Sequence, residues 1–316
     1  MRRLTLPALA LPALALLALT SALPVTPLRA EDAAGKIVYS RKSGEQYKLH
    51  VMNPDGSGDK ELPGQTSNVN LFATWSPDGK KIAYMASPVA EFKEAQLYII
   101  NADGSNAHPV PTNAKLSGLP AWSPDGRQLA YVSGDDMPRV FVADGEGNSA
   151  RQVSPEDAGA FFPFWTADGK KLGFTRIRRQ PEEQADIVLG NPDGTGTETL
   201  ISGEKKILFG NANALSPDGK RLLFIALDMP AGTGALHILD LASKADTTVT
   251  DVKIASHEAP DSFPVPSWAP DGKSILINLA TDKGQGVFLL SEDGQKKKRL
   301  TPEGVDCVHP VWFASR

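Results

Sequence analysis

The 316-residue chain carries 33 Lys and Arg against 37 Asp and Glu, a formal charge of −4, and a single cysteine. A mildly acidic balance is a poor match to phosphate backbones, so nucleic acid is not expected as a partner. The lone Cys307 admits no internal disulfide, so an apolar core must hold the fold.

The first element is a leader. Met1-Arg2-Arg3 is followed by a Leu/Ala run from Leu4 to Leu19 and then by small and polar residues. A basic head, an apolar segment and a small-residue tail make a secretory signal peptide, assigned to residues 1–30. Cleavage after Ala22 fits as well as cleavage after Ala30. Pro7, Pro12, Pro24 and Pro27 interrupt the segment and argue against a permanent spanning helix. Removing residues 1–30 takes away three arginines and no acid, moving the formal charge from −4 to −7. The expected location is the periplasm, or outside the cell, with residues 31–316 as one large domain.

After a short strand pattern at Lys36-Ile37-Val38-Tyr39, the same decapeptide recurs five times. It begins at Trp75 (WSPDGKKIAY), Trp122 (WSPDGRQLAY), Trp165 (WTADGKKLGF), Leu215 (LSPDGKRLLF) and Trp268 (WAPDGKSILI), with successive starts 47, 43, 50 and 53 residues apart. Within one copy, Trp75 ends a strand and Ser76-Pro77-Asp78-Gly79 makes a tight turn. There Pro presets φ, Asp bonds back to the backbone and Gly accepts a positive φ. Lys80 to Tyr84 then alternates as a half-buried strand. Gln96 to Asn101 reads as a third strand, Asp103-Gly104 as a second hairpin turn, and the stretch from His108 as an outer strand. Similar second turns recur at Asn53-Pro54-Asp55-Gly56, Asp144-Gly145, Asn191-Pro192-Asp193-Gly194 and Glu292-Asp293-Gly294. They lack the acidic spacing and terminal Glu of a calcium loop and are expected to be structural.

Four strands per unit at a period in the forties indicate an all-β propeller of four-stranded antiparallel blades. Lys36 to Tyr39 matches the second strand of a repeat, and His309-Pro310-Val311-Trp312 at the other end matches the first. The N-terminal strands and the C-terminal strand are therefore expected to pair and close the ring, giving six blades and removing two exposed edges.

The W-S-P-D-G-K/R repeat resembles the blades of the TolB family and, more loosely, those of tricorn and dipeptidyl-peptidase propellers. The resemblance covers Lys36 to Trp312. It implies a propeller that docks a protein or peptide on the face around its central channel. Two departures are visible. The propeller begins too close to the leader to leave room for the α/β domain that precedes it in TolB, and the chain has no Gly-x-Ser-x-Gly elbow of the peptidases. The expected activity is thus non-enzymatic: an exported binding scaffold for an envelope protein or peptide, acting as a monomer and meeting a membrane only through partners or an uncleaved leader. No cofactor or metal is expected. The alternative is a glycan-active enzyme. Oligogalacturonate lyases carry similar repeats with a His-rich metal centre, and His257 (followed by Glu258) and His309 fall near the loop rim, whereas His50 and His237 fall in third strands and His108 in an outer strand, far from the channel.

A meandering blade puts both hairpin turns on one rim and its irregular loops on the other, and that loop rim is where function is expected. Leu71, Phe72, Phe161, Phe162 and Phe263 are expected near the channel mouth there, where aromatic anchors suit a peptide. Packing between blades is the competing role for these apolar residues. Arg176 and Arg178 are expected in a loop, on one face, where a carboxylate or sulfate could bind, with internal ion pairing as the competing role. Lys296-Lys297-Lys298-Arg299 reads as charge that keeps an outer strand from unwanted pairing.

Overall fold

The computed structural model describes residues 35–313, except 90–93, 113, 115, 179–183, 204–206, 210–211, 229–230, 232 and 254–262. No helix occurs among the described residues. The chain opens with β1 (Lys36–Ser43), β2 (Gln46–Met52) and the short β3 (Lys60–Glu61). β4 (Val69–Trp75), β5 (Lys81–Ser87), β6 (Gln96–Asn101) and β7 (His108–Pro109) follow. Next come β8 (Ser117–Trp122), β9 (Gln128–Ser133), β10 (Arg139–Asp144) and β11 (Arg151–Gln152). β12 (Gly159–Trp165), β13 (Leu172–Arg178), β14 (Gln184–Gly190) and β15 (Glu198–Ile201) form a further group. So do β16 (Ile207–Phe209), β17 (Arg221–Asp228), β18 (Thr233–Asp240) and β19 (Asp246–Lys253). The chain ends with β20 (Ser267–Trp268), β21 (Ser274–Thr281), β22 (Gly284–Ser291), β23 (Lys297–Arg299) and β24 (Cys307–Phe313).

The last four of these groups of four (β8–β11, β12–β15, β16–β19, β20–β23) are separate four-stranded antiparallel sheets. An eight-stranded sheet holds the rest, and its two antiparallel halves touch through a single parallel pair, Tyr47 with Val69. One half is β24-β1-β2 with β3. The pairing of Lys36 with Phe313, Ile37 with Trp312 and Val38 with Val311 joins the two ends of the chain. Apolar clusters link each group to the next. Trp75 and Tyr84 pack with Val38 and Val311, Trp165 with Val132 and Val142, and Trp268 with Leu223 and Ile238. Leu276 and Val287 meet Ile37 and Tyr39 and complete the circuit.

Four of the five repeat turns are built alike. In the first, the Ser76 hydroxyl donates to Asp78 Oδ1 at 2.7 Å, and the Lys80 N–H donates to the same oxygen at 3.0 Å. Gly79 sits at φ 69°, in the left-handed region that glycine adopts freely. Ser123/Asp125, Thr166/Asp168 and Ser216/Asp218 repeat the geometry. In the second type of turn, Asp193 accepts from the backbone and hydroxyl of Thr195, so its carboxylate is engaged by the hairpin.

Candidate functional site

The innermost strands do not run straight. The pairing of β4 with β5 slips between Leu71 and Thr74, that of β8 with β9 between Gly118 and Ala121, and that of β12 with β13 between Phe161 and Phe164. β24 slips against β1 in the same way. At each slip stands a non-glycine residue with positive φ: Phe72 at 53°, Leu119, Phe162 and His309 at 52°. A bulge of this kind re-aims a side chain. Together with Val265, these four line a cavity of about 30 Å³, room for about one water. Phe72 stacks on His309 at 3.8 Å between ring centroids and meets Phe162 edge-on at 6.5 Å. These side chains converge to form a waist in the channel.

The waist sorts the residues expected at the mouth. Phe72, Phe161, Phe162 and Phe263 are half-buried, with Phe161 and Phe162 in mutual contact at 6.5 Å. Leu71 is fully buried in the core beside Met85 and Val308, because the bulge turns its neighbour, not Leu71 itself, toward the axis. His309 is 1% exposed and belongs to the waist rather than to an open rim. His257 lies outside the described residues. Among the described residues, no group of three or more His, Cys, Asp or Glu is placed to hold a metal. His50 in β2 and His237 in β18 each sit 2.9 Å from an aspartate, Asp59 and Asp246. The Tyr39 hydroxyl and the Arg41 guanidinium also donate to Asp59.

Arg176 and Arg178 lie in β13 rather than in a loop. Both guanidinium groups donate to Oδ2 of Asp186, at 3.0 and 2.7 Å, and the Asp186 side chain is only 1% exposed. Burial pushes the Asp186 carboxyl up, but the Arg176 hydrogen bond, the Arg178 charge and the Gly203 N–H outweigh it and hold the group below its ordinary value. The carboxylate expected from a ligand is therefore supplied by the chain itself. Asp186 was legible as the one charge in the apolar run Ala185-Asp186-Ile187-Val188, a pattern that demands a cationic partner.

A concavity opens at the opposite end from the expected one. A funnel of about 490 Å³ opens on the repeat-turn rim. Its wall holds all five tryptophans (Trp75, Trp122, Trp165, Trp268 and Trp312) and Leu215 at the equivalent sixth position. Trp165 Nε1 donates to the Ala121 carbonyl at 3.0 Å and Trp268 Nε1 to that of Ala214 at 3.1 Å. The indole nitrogens of Trp75, Trp122 and Trp312 are buried without a hydrogen-bond partner.

The sequence profile of the TolB beta propeller domain matches residues 33–315. The chain belongs to this family. Among solved structures it is similar to TolB from Acinetobacter baumannii, with a TM-score of 0.71 and 21% identity over 89% of this chain and 67% of that one. A putative TolB from Agrobacterium tumefaciens aligns with a TM-score of 0.64 and 17% identity, over 86% of this chain and 99% of the other. The nidogen/laminin complex contains a chain that aligns with a TM-score of 0.67 at 12% identity, over 89% of this chain and 99% of that one. At these identities the likeness is one of fold. No curated protein matches the sequence significantly. The TolB-type propeller thus offers two axial faces, separated by the waist at Phe72, Leu119, Phe162 and His309.

Proposed function

We propose that this TolB-type propeller is an exported, non-enzymatic scaffold that engages an envelope protein or peptide on its loop face. Counting the eight-stranded sheet as two blades makes it six-bladed. Family membership is the observation that carries the reading, and the half-buried Phe161 and Phe263, beside the waist residue Phe162, are its candidate anchors. In this reading the partner rests on the mouth of the channel. Arg178, 43% exposed, contributes one rim cation held in place by Asp186. The leader at residues 1–30 supports a periplasmic location.

The test is capture from a periplasmic extract with Phe161→Asp as the control. The wild type should retain an envelope protein that the variant loses while keeping its thermal unfolding midpoint. Equal capture by both would refute the loop-face assignment. Of the two histidines behind the glycan-active alternative, His309 is enclosed in the waist and His257 lies outside the described residues.

A further inference from the structure

The repeats place one large side chain per unit around the funnel on the turn rim, and five of the six are tryptophans. The sixth is Leu215, equivalent by its pairing with Leu222, just as Trp75 pairs with Ile82, Trp165 with Leu172 and Trp268 with Ile275. Four of the tryptophans are between 4 and 8% exposed, whereas Leu215 and its neighbours Ala212 and Asn213 are only half-buried. Leu215 itself is held to the next strand by an isolated bridge to Leu222. The aromatic ring is therefore interrupted on one side.

We infer that the gap at Leu215 is a binding site for a small planar aromatic compound of about indole size, which takes the place of the missing sixth indole. The funnel, at about 490 Å³, falls within the roughly 300–1,000 Å³ range of small-molecule sites. Its aromatic wall favours a flat π-system over an aliphatic one of equal volume. Arg221 lies 4.6 Å over the Trp268 ring and fixes that wall beside the gap. The site lies on the face opposite the proposed protein-binding one and does not rest on that reading.

The test uses indole as the probe, cyclohexanol as the non-planar control, and the variant Leu215→Trp, which restores the repeat consensus. Its indole N–H would face the Phe164 carbonyl, as Trp165 faces Ala121 and Trp268 faces Ala214. In calorimetry the wild type should bind indole saturably, cyclohexanol at least tenfold more weakly, and Leu215→Trp should lose at least tenfold in indole affinity with an unchanged or raised unfolding midpoint. No saturable binding to the wild type, or equal affinity in the folded variant, would overturn the assignment. Should Leu215→Trp fail to fold, the wild type alone decides through its five indole N–H resonances. Titration with indole should shift those of Trp165 and Trp268, the flanking units, while amides of β13 and β14 at Arg178 and Gln184 stay in place. Unmoved indole resonances would overturn it equally.

Discussion

Phe72 and His309 stack nearly parallel, 3.8 Å between ring centroids and 16° between planes, although they come from opposite ends of the chain. Both sit in the left-handed region, at φ 53° and 52°, a conformation that costs an L-residue about 1–2 kcal/mol. Leu119 and Phe162 share it. Four such residues persist because the bulge delivers each side chain to the axis, where they form the waist together.

Strain at these positions reverses the usual order of substitution. Elsewhere in a strand, Gly is worse than Ala by about 0.5–1 kcal/mol. At Leu119, Gly relieves the left-handed penalty that Ala retains. Leu119→Gly should therefore be more stable than Leu119→Ala by about 1 kcal/mol, read from chemical denaturation midpoints at equal slope. The ordinary order, Ala above Gly, would remove strain from the account of the waist.

Ring closure depends on β24. Val308, Val311 and Phe313 are all buried there, and each such side chain contributes about 1.5–3 kcal/mol. Their sum, about 5–9 kcal/mol, is comparable to the whole stability of a typical domain, about 5–15 kcal/mol. Deleting residues 308–316 should abolish cooperative thermal unfolding followed by circular dichroism. An unchanged midpoint would show that the pairing of β1 with β24 does not hold the ring.

The five tryptophans separate into two classes. Trp165→Phe leaves the Ala121 carbonyl without its indole donor, whereas Trp122→Phe removes a buried N–H that has no partner. Losing one side of a buried hydrogen bond costs about 1–3 kcal/mol. Trp165→Phe should therefore be the more destabilising by at least about 1 kcal/mol, visible as a gap of about 2–4 °C in midpoint. Equal losses would mean that the indole bonds contribute nothing beyond packing.

Asp186 makes stability depend on pH in a defined direction. Its carboxyl is held below its ordinary value in the folded protein. A group depressed in this way stabilises above its unfolded pKa, about 3.9, and loses that contribution as pH falls through the folded value. Asp186→Asn should cost about 1.5–3 kcal/mol at pH 7 by removing the charge that Arg176 and Arg178 share, and its gap to the wild type should shrink at pH 3. Denaturation midpoints at the two pH values measure this, and a gap that stays constant would contradict the ion-pair assignment. Cys307, by contrast, has its thiol pushed up to about 11, chiefly by burial. It should resist alkylation at pH 8 until the protein unfolds.

Much of the fold was legible because turn chemistry and alternation are local. The strand Gln96–Asn101 and the joining of Lys36 to Phe313 follow from short patterns that repeat. The waist was not legible, because a bulge depends on how two strands register. Nothing in the dipeptide Leu71-Phe72 says which residue will be turned to the axis. Arg176 and Arg178 were visible as a pair, but their partner emerged only when β14 lay beside β13. Leu215 was visible as the odd residue among the five repeat starts. Its meaning depended on all six positions meeting around one funnel.

The loop-face assignment is tested most directly by site-specific photo-crosslinking within the periplasm. A photoreactive residue at position 161, on the loop side of the waist, should capture a defined envelope protein. The same residue at position 170, in a repeat turn on the opposite rim, should not, and Arg178→Glu in the first protein should weaken the capture. No adduct at 161, or the same adduct at both positions, would contradict a partner seated on the loop face.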